Sequence, residues 1–233
     1  MQIRKSNERG HANHGWLDSY HSFSFANYYD PKWMGFSVLR VINEDVIAPS
    51  KGFGTHGHQN MEIITYVISG ELAHKDSMGN IETLRAGEVQ RMSAGTGIEH
   101  SEFNASSTEP VHLLQIWIEP NQLDLPPGYE DQLFTDAQKY NQWCVLASDE
   151  SHEGSLKVHQ NMALFAAKLS ERKQLDYALK HRRNAYLQVV QGVVEVNQQR
   201  LNAGDAALFV DGEAIQIKAI EAAEMLFFDL PAA

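Results

Sequence analysis

Short runs of alternating apolar and polar residues, interrupted every ten residues or so by Gly, Asn, Asp or Pro, constrain this chain more than any other feature. A period of two puts successive side chains on opposite faces of an extended segment, so each run reads as a strand with one face in a core. The clearest are Ser37–Asn43, Ile63–Ser69, Glu88–Met92, Val111–Ile118, Leu156–His159, Tyr186–Gln191, Ala206–Val210 and Met225–Leu230. Many short strands with regular turn signals define a sandwich or a barrel. Ser69-Gly70 and Met78-Gly79-Asn80 read as hairpin turns, because Gly and Asn tolerate the positive φ such turns require. Helix is expected only over Tyr129–Tyr140 and Leu169–Arg183, and short in both.

The pattern also repeats. YVISGELAHKDSMGNIETLRAGEVQRM aligns with LQVVQGVVEVNQQRLNAGDAALF, each reading strand, Gly, strand, polar turn, Leu, two residues, Gly, acidic residue, strand. Gly70 and Gly87 in the first copy become Gly192 and Gly204 in the second, five residues closer together. Two copies of one β unit imply an all-β chain of two tandem units, each a sandwich or a barrel. Between them EPNQLDLPPGYED carries Pro120, Pro126 and Pro127, which cannot donate ladder hydrogen bonds. The boundary is therefore expected after residue 125, giving halves of 1–125 and 126–233.

At 233 residues and 43% apolar the chain can bury a large core, which excludes disorder. A net charge of -11 repels phosphate backbones and anionic headgroups, so direct nucleic-acid binding is not expected. No apolar run approaches the ~20 residues of a membrane span, and the basic start lacks an apolar segment behind it. Cys144 is the one cysteine, so no intrachain disulfide is needed; it reads as a buried structural thiol. The expectation is a cytoplasmic protein with no membrane partner.

Eleven histidines are numerous, and two clusters have a geometry. His56 and His58 are two apart and project from one face of an extended segment; His100 and Glu102 repeat that spacing about forty residues on. Two neighbouring strands of this kind surround a single ion with three imidazoles and a carboxylate. Glu62 is the competing carboxylate, read as the partner of a basic side chain or as an acceptor that orients a ligand imidazole from behind. His11, His14 and His21 have uneven spacing and read as turn and packing groups, while His74, His112, His152 and His159 are isolated. Phe23 and Phe25 read as core. Phe53, three residues before the first ligand, is placed at the wall of a substrate pocket.

Gly52, His56, His58, Glu62 and Gly70 resemble the first motif of the cupin superfamily, and Gly87, Gly95, His100 and Asn104 the second. Seven rather than six residues separate Glu62 from Gly70, Ser93 replaces a Pro, and two extra residues precede His100. RGHANHGWLDSYHSFSFANYYDP, GFGTHGHQNMEIITYV and SAGTGIEHSEFN narrow the resemblance to the pirin family, over residues 3 to 120 and more loosely beyond. The resemblance implies two jelly-roll (double-stranded β-helix) cupin barrels, with one divalent metal held by His56, His58, His100 and Glu102. His181 stands alone in the second copy, and Asp211 and Glu213 have no His beside them, so no second metal is expected there.

Three neutral imidazoles and a carboxylate leave open positions on the ion, which suits chemistry better than structural zinc does. Such donors accept Fe(II), Mn, Ni, Co, Cu or Zn; the resemblance favours iron. It further implies a dioxygenase that opens the central ring of flavonols such as quercetin with O2 and releases CO, with Glu102 as base. Two alternatives are a non-enzymatic metal- or redox-responsive regulator that binds protein partners, and a cupin isomerase or a dioxygenase for another enol or catechol.

Overall fold

The alternation is realised almost everywhere. In the computed structural model, which describes residues 1–149 and 154–232, the chain up to Leu133 forms twelve strands. They are β1 (Gln2–Arg4), β2 (Gly10–Asn13), β3 (Leu17–His21), β4 (Leu39–Ile47), β5 (Gly52–His58) and β6 (Glu62–Ser69), followed by β7 (Glu71–Asp76), β8 (Ile81–Arg85), β9 (Glu88–Ser93), β10 (Ile98–Asn104), β11 (Val111–Ile118) and β12 (Gly128–Leu133). A seven-stranded sheet in the order β12-β9-β6-β11-β4-β3-β2 faces a four-stranded sheet β5-β10-β7-β8. The second half repeats this arrangement, with its own seven-stranded and four-stranded sheets.

The repeated glycines explain the repeated turns. Gly70 joins β6 to β7 at φ 81°, and a Cβ there would meet the Pro110 carbonyl at 2.5 Å. Gly192 joins strands Arg183–Gln191 and Val193–Val196 at φ 75°, where a Cβ would meet the Ala222 carbonyl at 2.0 Å. Both positions need left-handed backbone and have no room for a side chain.

Alternation also decides what each face meets. On β6, Ile64 and Tyr66 point outward into an apolar core shared with Leu164, Tyr186, Leu226 and Phe228 of the second half. Ile63, Thr65 and Val67 point inward. The two large sheets thus pack back to back. Polar groups cross this interface as well: Tyr66 donates its hydroxyl to Glu224, and Lys139, fully buried, donates to the Tyr66 oxygen at 3.2 Å.

The expected boundary at 125/126 is crossed in both directions. β12 lies beyond it yet pairs with β9, from Gly128↔Ser93 to Leu133↔Glu88. β1 pairs with strand Ala206–Phe209 of the second half. Edge strands of seven-stranded sheets have one free ladder each, and these two segments fill it. The helix expectations are corrected too. Tyr129–Leu133 is strand, only Asp136–Lys139 is α-helical, and Gln174–Ala178 within the second stretch pairs as a strand with Ala214–Ala219.

Candidate metal centre

The centre forms where β5 and β10 pair antiparallel on the small sheet. His100 lies opposite His56 and Ile98 opposite His58, so the three histidines share the inward face. A bulge follows: Glu102 faces Phe53, which leaves β5 one residue longer than β10 at this point. Gly54 lies in that bulge, and its carbonyl accepts a hydrogen bond from His56 Nδ1 at 2.8 Å. A carbonyl only accepts, so Nδ1 carries the proton and Nε2 offers a lone pair.

His100 Nε2 lies 3.1 Å from His56 Nε2 and 3.0 Å from His58 Nε2. One N–H on His100 satisfies at most one of these neighbours at a time, whereas a cation among them satisfies every lone pair. Spacings of ~3.0 Å also match the edge of an octahedron with metal–nitrogen bonds of about 2.1 Å. The residues therefore fit a divalent metal. Burial lowers the His58 pKa to about 4 and that of His100 to about 3, with the neighbouring His56 adding to both. Both rings stay neutral and ready to ligate well below the ordinary histidine range.

A pH prediction follows from the sign of these shifts. A base whose pKa is depressed keeps its lone pair to lower pH, so protons compete for His58 and His100 only near pH 4 and below. Bound metal should be retained on dialysis from pH 8 down to about pH 5 and be lost by about pH 4. Half-loss near pH 6.5, measured by metal analysis, would mean that the buried pair His58 and His100 does not set the proton competition.

Glu102 shares the inward face of β10 with His100, but its carboxylate groups with His100 and His74 rather than with His56 and His58. It reaches across the barrel to the large sheet. Gln90 Nε2 donates to its Oε1 at 2.8 Å, Thr65 donates to the same oxygen at 3.4 Å, and Gln115 Nε2 donates to Oε2 at 2.5 Å. These three belong to a row of directly opposed residues crossing five strands: His21↔Asn43, Asn43↔Gln115, Gln115↔Thr65 and Thr65↔Gln90. Apolar layers lie on both sides of this polar row, one around Val67 and Leu113, the other around Ile63 and Met92. Burial pushes the Glu102 carboxyl up to about 7.

Glu62 does not orient any of the three clustered imidazoles. Its even position shares the face of Ile64 and Tyr66, which points to the second half, and there it accepts from Ser93 at 2.9 Å and pairs with His159 at 3.3 Å. His159, expected to be isolated, is thus a contact between the halves. His74 is not isolated either. It lies opposite Glu102, stacks on Tyr129 of β12 at 4.7 Å and pairs with Asp76 at 3.2 Å. The signal was present in the sequence, since His74 and Asp76 repeat the two-residue spacing of the other clusters. His112 bonds Glu44 at 3.0 Å, and His152 lies outside the described residues.

A cavity of about 790 Å³ opens onto the histidines. Phe53 lines it as expected, packed edge-on against Trp16 at 5.4 Å. Phe25 and Trp117 form another wall, ring edge to ring face at 5.4 Å. Phe25 therefore serves the pocket rather than the core, whereas Phe23 is core. His11, His14 and His21 line the pocket from the β2–β3 hairpin, a placement their uneven spacing conceals.

Two facing β-barrel units, one of them opening onto a three-histidine centre, define a bicupin protein with a site for a metal. Comparison with known proteins takes the assignment further. Residues 2–118 match the pirin family model, and residues 145–230 match the quercetinase C-terminal cupin domain. Quercetin 2,3-dioxygenase of Escherichia coli K12 is 53% identical over 99% of both chains, and a pirin-like protein of Caulobacter vibrioides is 43% identical over 94% of this chain and 95% of its own. The structure of the bacterial pirin YhhW from E. coli in complex with nickel(II) superposes with a TM-score of 0.95 at 50% identity, covering 100% of this chain and 99% of that one. The chain belongs to the pirin family.

Proposed function

We propose that this protein is a metal-dependent dioxygenase that opens the central ring of a flavonol such as quercetin with O2 and releases CO. The observation that carries the reading is the convergence of His56, His58 and His100 on one point of a cavity walled by Trp16, Phe25, Phe53 and Trp117. Relatives named quercetin 2,3-dioxygenase over nearly the whole chain support it.

His56, His58 and His100 would hold the metal, with Glu102, whose carboxylate lies beside His100, as the carboxylate donor. Iron(II) is the metal the resemblance favours, and nickel(II) is the one seen in the E. coli relative. When bound, the ion supplies Lewis-acid polarisation of the substrate's 3-hydroxyl oxygen and a place for O2 to react. The chain's own residues do the rest. Flat aromatic walls take the flavonol rings and exclude water. Glu102 takes the 3-hydroxyl proton, and Gln90, Thr65 and Gln115 steady the carboxylate meanwhile.

Oxygen uptake by the metal-loaded protein with quercetin tests the reading directly. One O2 consumed and one CO released per flavonol lost is the expected result. Absence of uptake with full metal occupancy would leave the non-enzymatic regulator as the better reading.

A further inference from the structure

The cavity has a second polar centre that the histidines do not use. Facing it from the large sheet, β3 and β4 present two cross-strand pairs, His21↔Asn43 and Ser19↔Asp45, and all four residues line the cavity. His21 Nδ1 meets Asn43 Oδ1 at 2.8 Å, which holds that pair within the polar row behind Glu102. Ser19 and Asp45 lie one layer away. Ser19 donates its hydroxyl to Asp45 Oδ1.

Asp45 is an unusual group to find there. It is 2% exposed, beside the apolar Leu113 across the ladder, and among the described residues Ser19 gives its carboxylate the one side-chain hydrogen bond it has. The nearby basic side chains are engaged elsewhere: Arg9 pairs with Glu44 at 2.8 Å and His112 with the same carboxylate at 3.0 Å, both on the other face of β4. A carboxylate buried with so little compensation destabilises the fold, and packing does not require it. Burial pushes its carboxyl up to about 6, which still leaves it charged at neutral pH. An ionised carboxylate only accepts hydrogen bonds and repels anions. Its complement is a neutral hydroxyl carried by the same flat molecule that the aromatic walls enclose.

We propose that Asp45 is a hydroxyl-recognition subsite, accepting a hydrogen bond from a phenolic hydroxyl on a substrate ring remote from the oxygen held at the histidines, with Ser19 fixing the carboxylate's orientation. This rests on the aromatic-substrate reading above. The subsite selects polyhydroxylated flavonols over those whose sole hydroxyl goes to the metal.

Quercetin, with hydroxyls on its outer rings, and 3-hydroxyflavone, with none there, separate the two contributions. For metal-loaded wild type, Asp45→Asn and Ser19→Ala, with metal content measured in each, the readouts are Kd from tryptophan quenching and kcat/KM from oxygen uptake. Asp45→Asn should weaken quercetin by about 10- to 100-fold more than 3-hydroxyflavone, the size of a hydrogen bond to a charged group. Ser19→Ala should shift the ratio the same way by about threefold, and it carries the test alone if Asp45→Asn does not fold. Equal losses for both ligands, or none, would overturn the subsite while leaving the dioxygenase reading intact. A shifted binding ratio without turnover of either ligand would sink the dioxygenase reading and keep the subsite. Failure of wild type to bind either would remove both.

Discussion

His56→Ala combined with His100→Ala should reduce bound metal from about one ion per chain to below about a tenth after dialysis against a weak chelator. The two substitutions remove the ring fixed by the Gly54 carbonyl and the ring whose Nε2 lies within 3.1 Å of both others. One imidazole, His58, and a carboxylate already engaged by Gln90, Thr65 and Gln115 are left. Oxygen uptake should vanish with the metal. Glu62→Gln is the matched control, because Glu62 bonds Ser93 and His159 on the face away from the histidines. It should lower the unfolding midpoint and leave metal content unchanged. Full metal in the double variant, or metal lost in Glu62→Gln, would show that the site lies elsewhere.

The histidine centre was legible because its information is local. Two residues apart on a strand means one face, whatever the strand pairs with, so His56 and His58 share a face, as do His100 and Glu102, before any partner is known. The repeat was legible for a similar reason, since Gly70 and Gly192 occupy backbone positions that only glycine fits. What stayed hidden depends on register between distant strands. The row from His21 to Gln90 reads along the chain as scattered polar residues inside apolar runs, and only the ladders bring them into line. The same holds for Asp45, which in sequence is one of three polar residues in INEDV.

The exchanged edge strands were hidden differently. Gly128–Leu133 reads GYEDQL, with little apolar alternation, and its ladder partner Glu88–Ser93 lies some forty residues upstream. Its placement matters for the site, because it delivers Tyr129 to stack on His74 and to donate to Gln90 at 3.3 Å. A cut after residue 125 would remove that support from beneath Glu102. Parity, finally, corrects Glu62. Spacing from His58 suggests an acceptor behind a ligand imidazole, whereas membership of the face of Ile64 and Tyr66 sends it to the second half.

Glu102→Gln should lower turnover of the metal-loaded protein by roughly 10²- to 10⁴-fold, the loss expected when a general base is removed. In the metal-free site burial pushes the wild-type carboxyl up to about 7, and a cation beside it pulls it back down, so the carboxylate is ionised and able to take a proton at neutral pH. It is lifted by desolvation against the opposing bonds from Gln90, Gln115 and Thr65, so its basicity depends on staying dry within the polar row. Wild-type kcat/KM should therefore rise with pH along a limb set by this carboxyl, and this limb should disappear in the variant. A glutamine keeps one acceptor oxygen for these donors but turns an amide NH2 toward another amide donor, Gln90 or Gln115, and cannot take up the substrate's proton. Metal content measured in the same sample separates lost ligation from lost basicity. If the variant is supplied with metal to full occupancy and still turns over at the wild-type rate with the same pH profile, Glu102 is not the base, and the 3-hydroxyl proton leaves by another path.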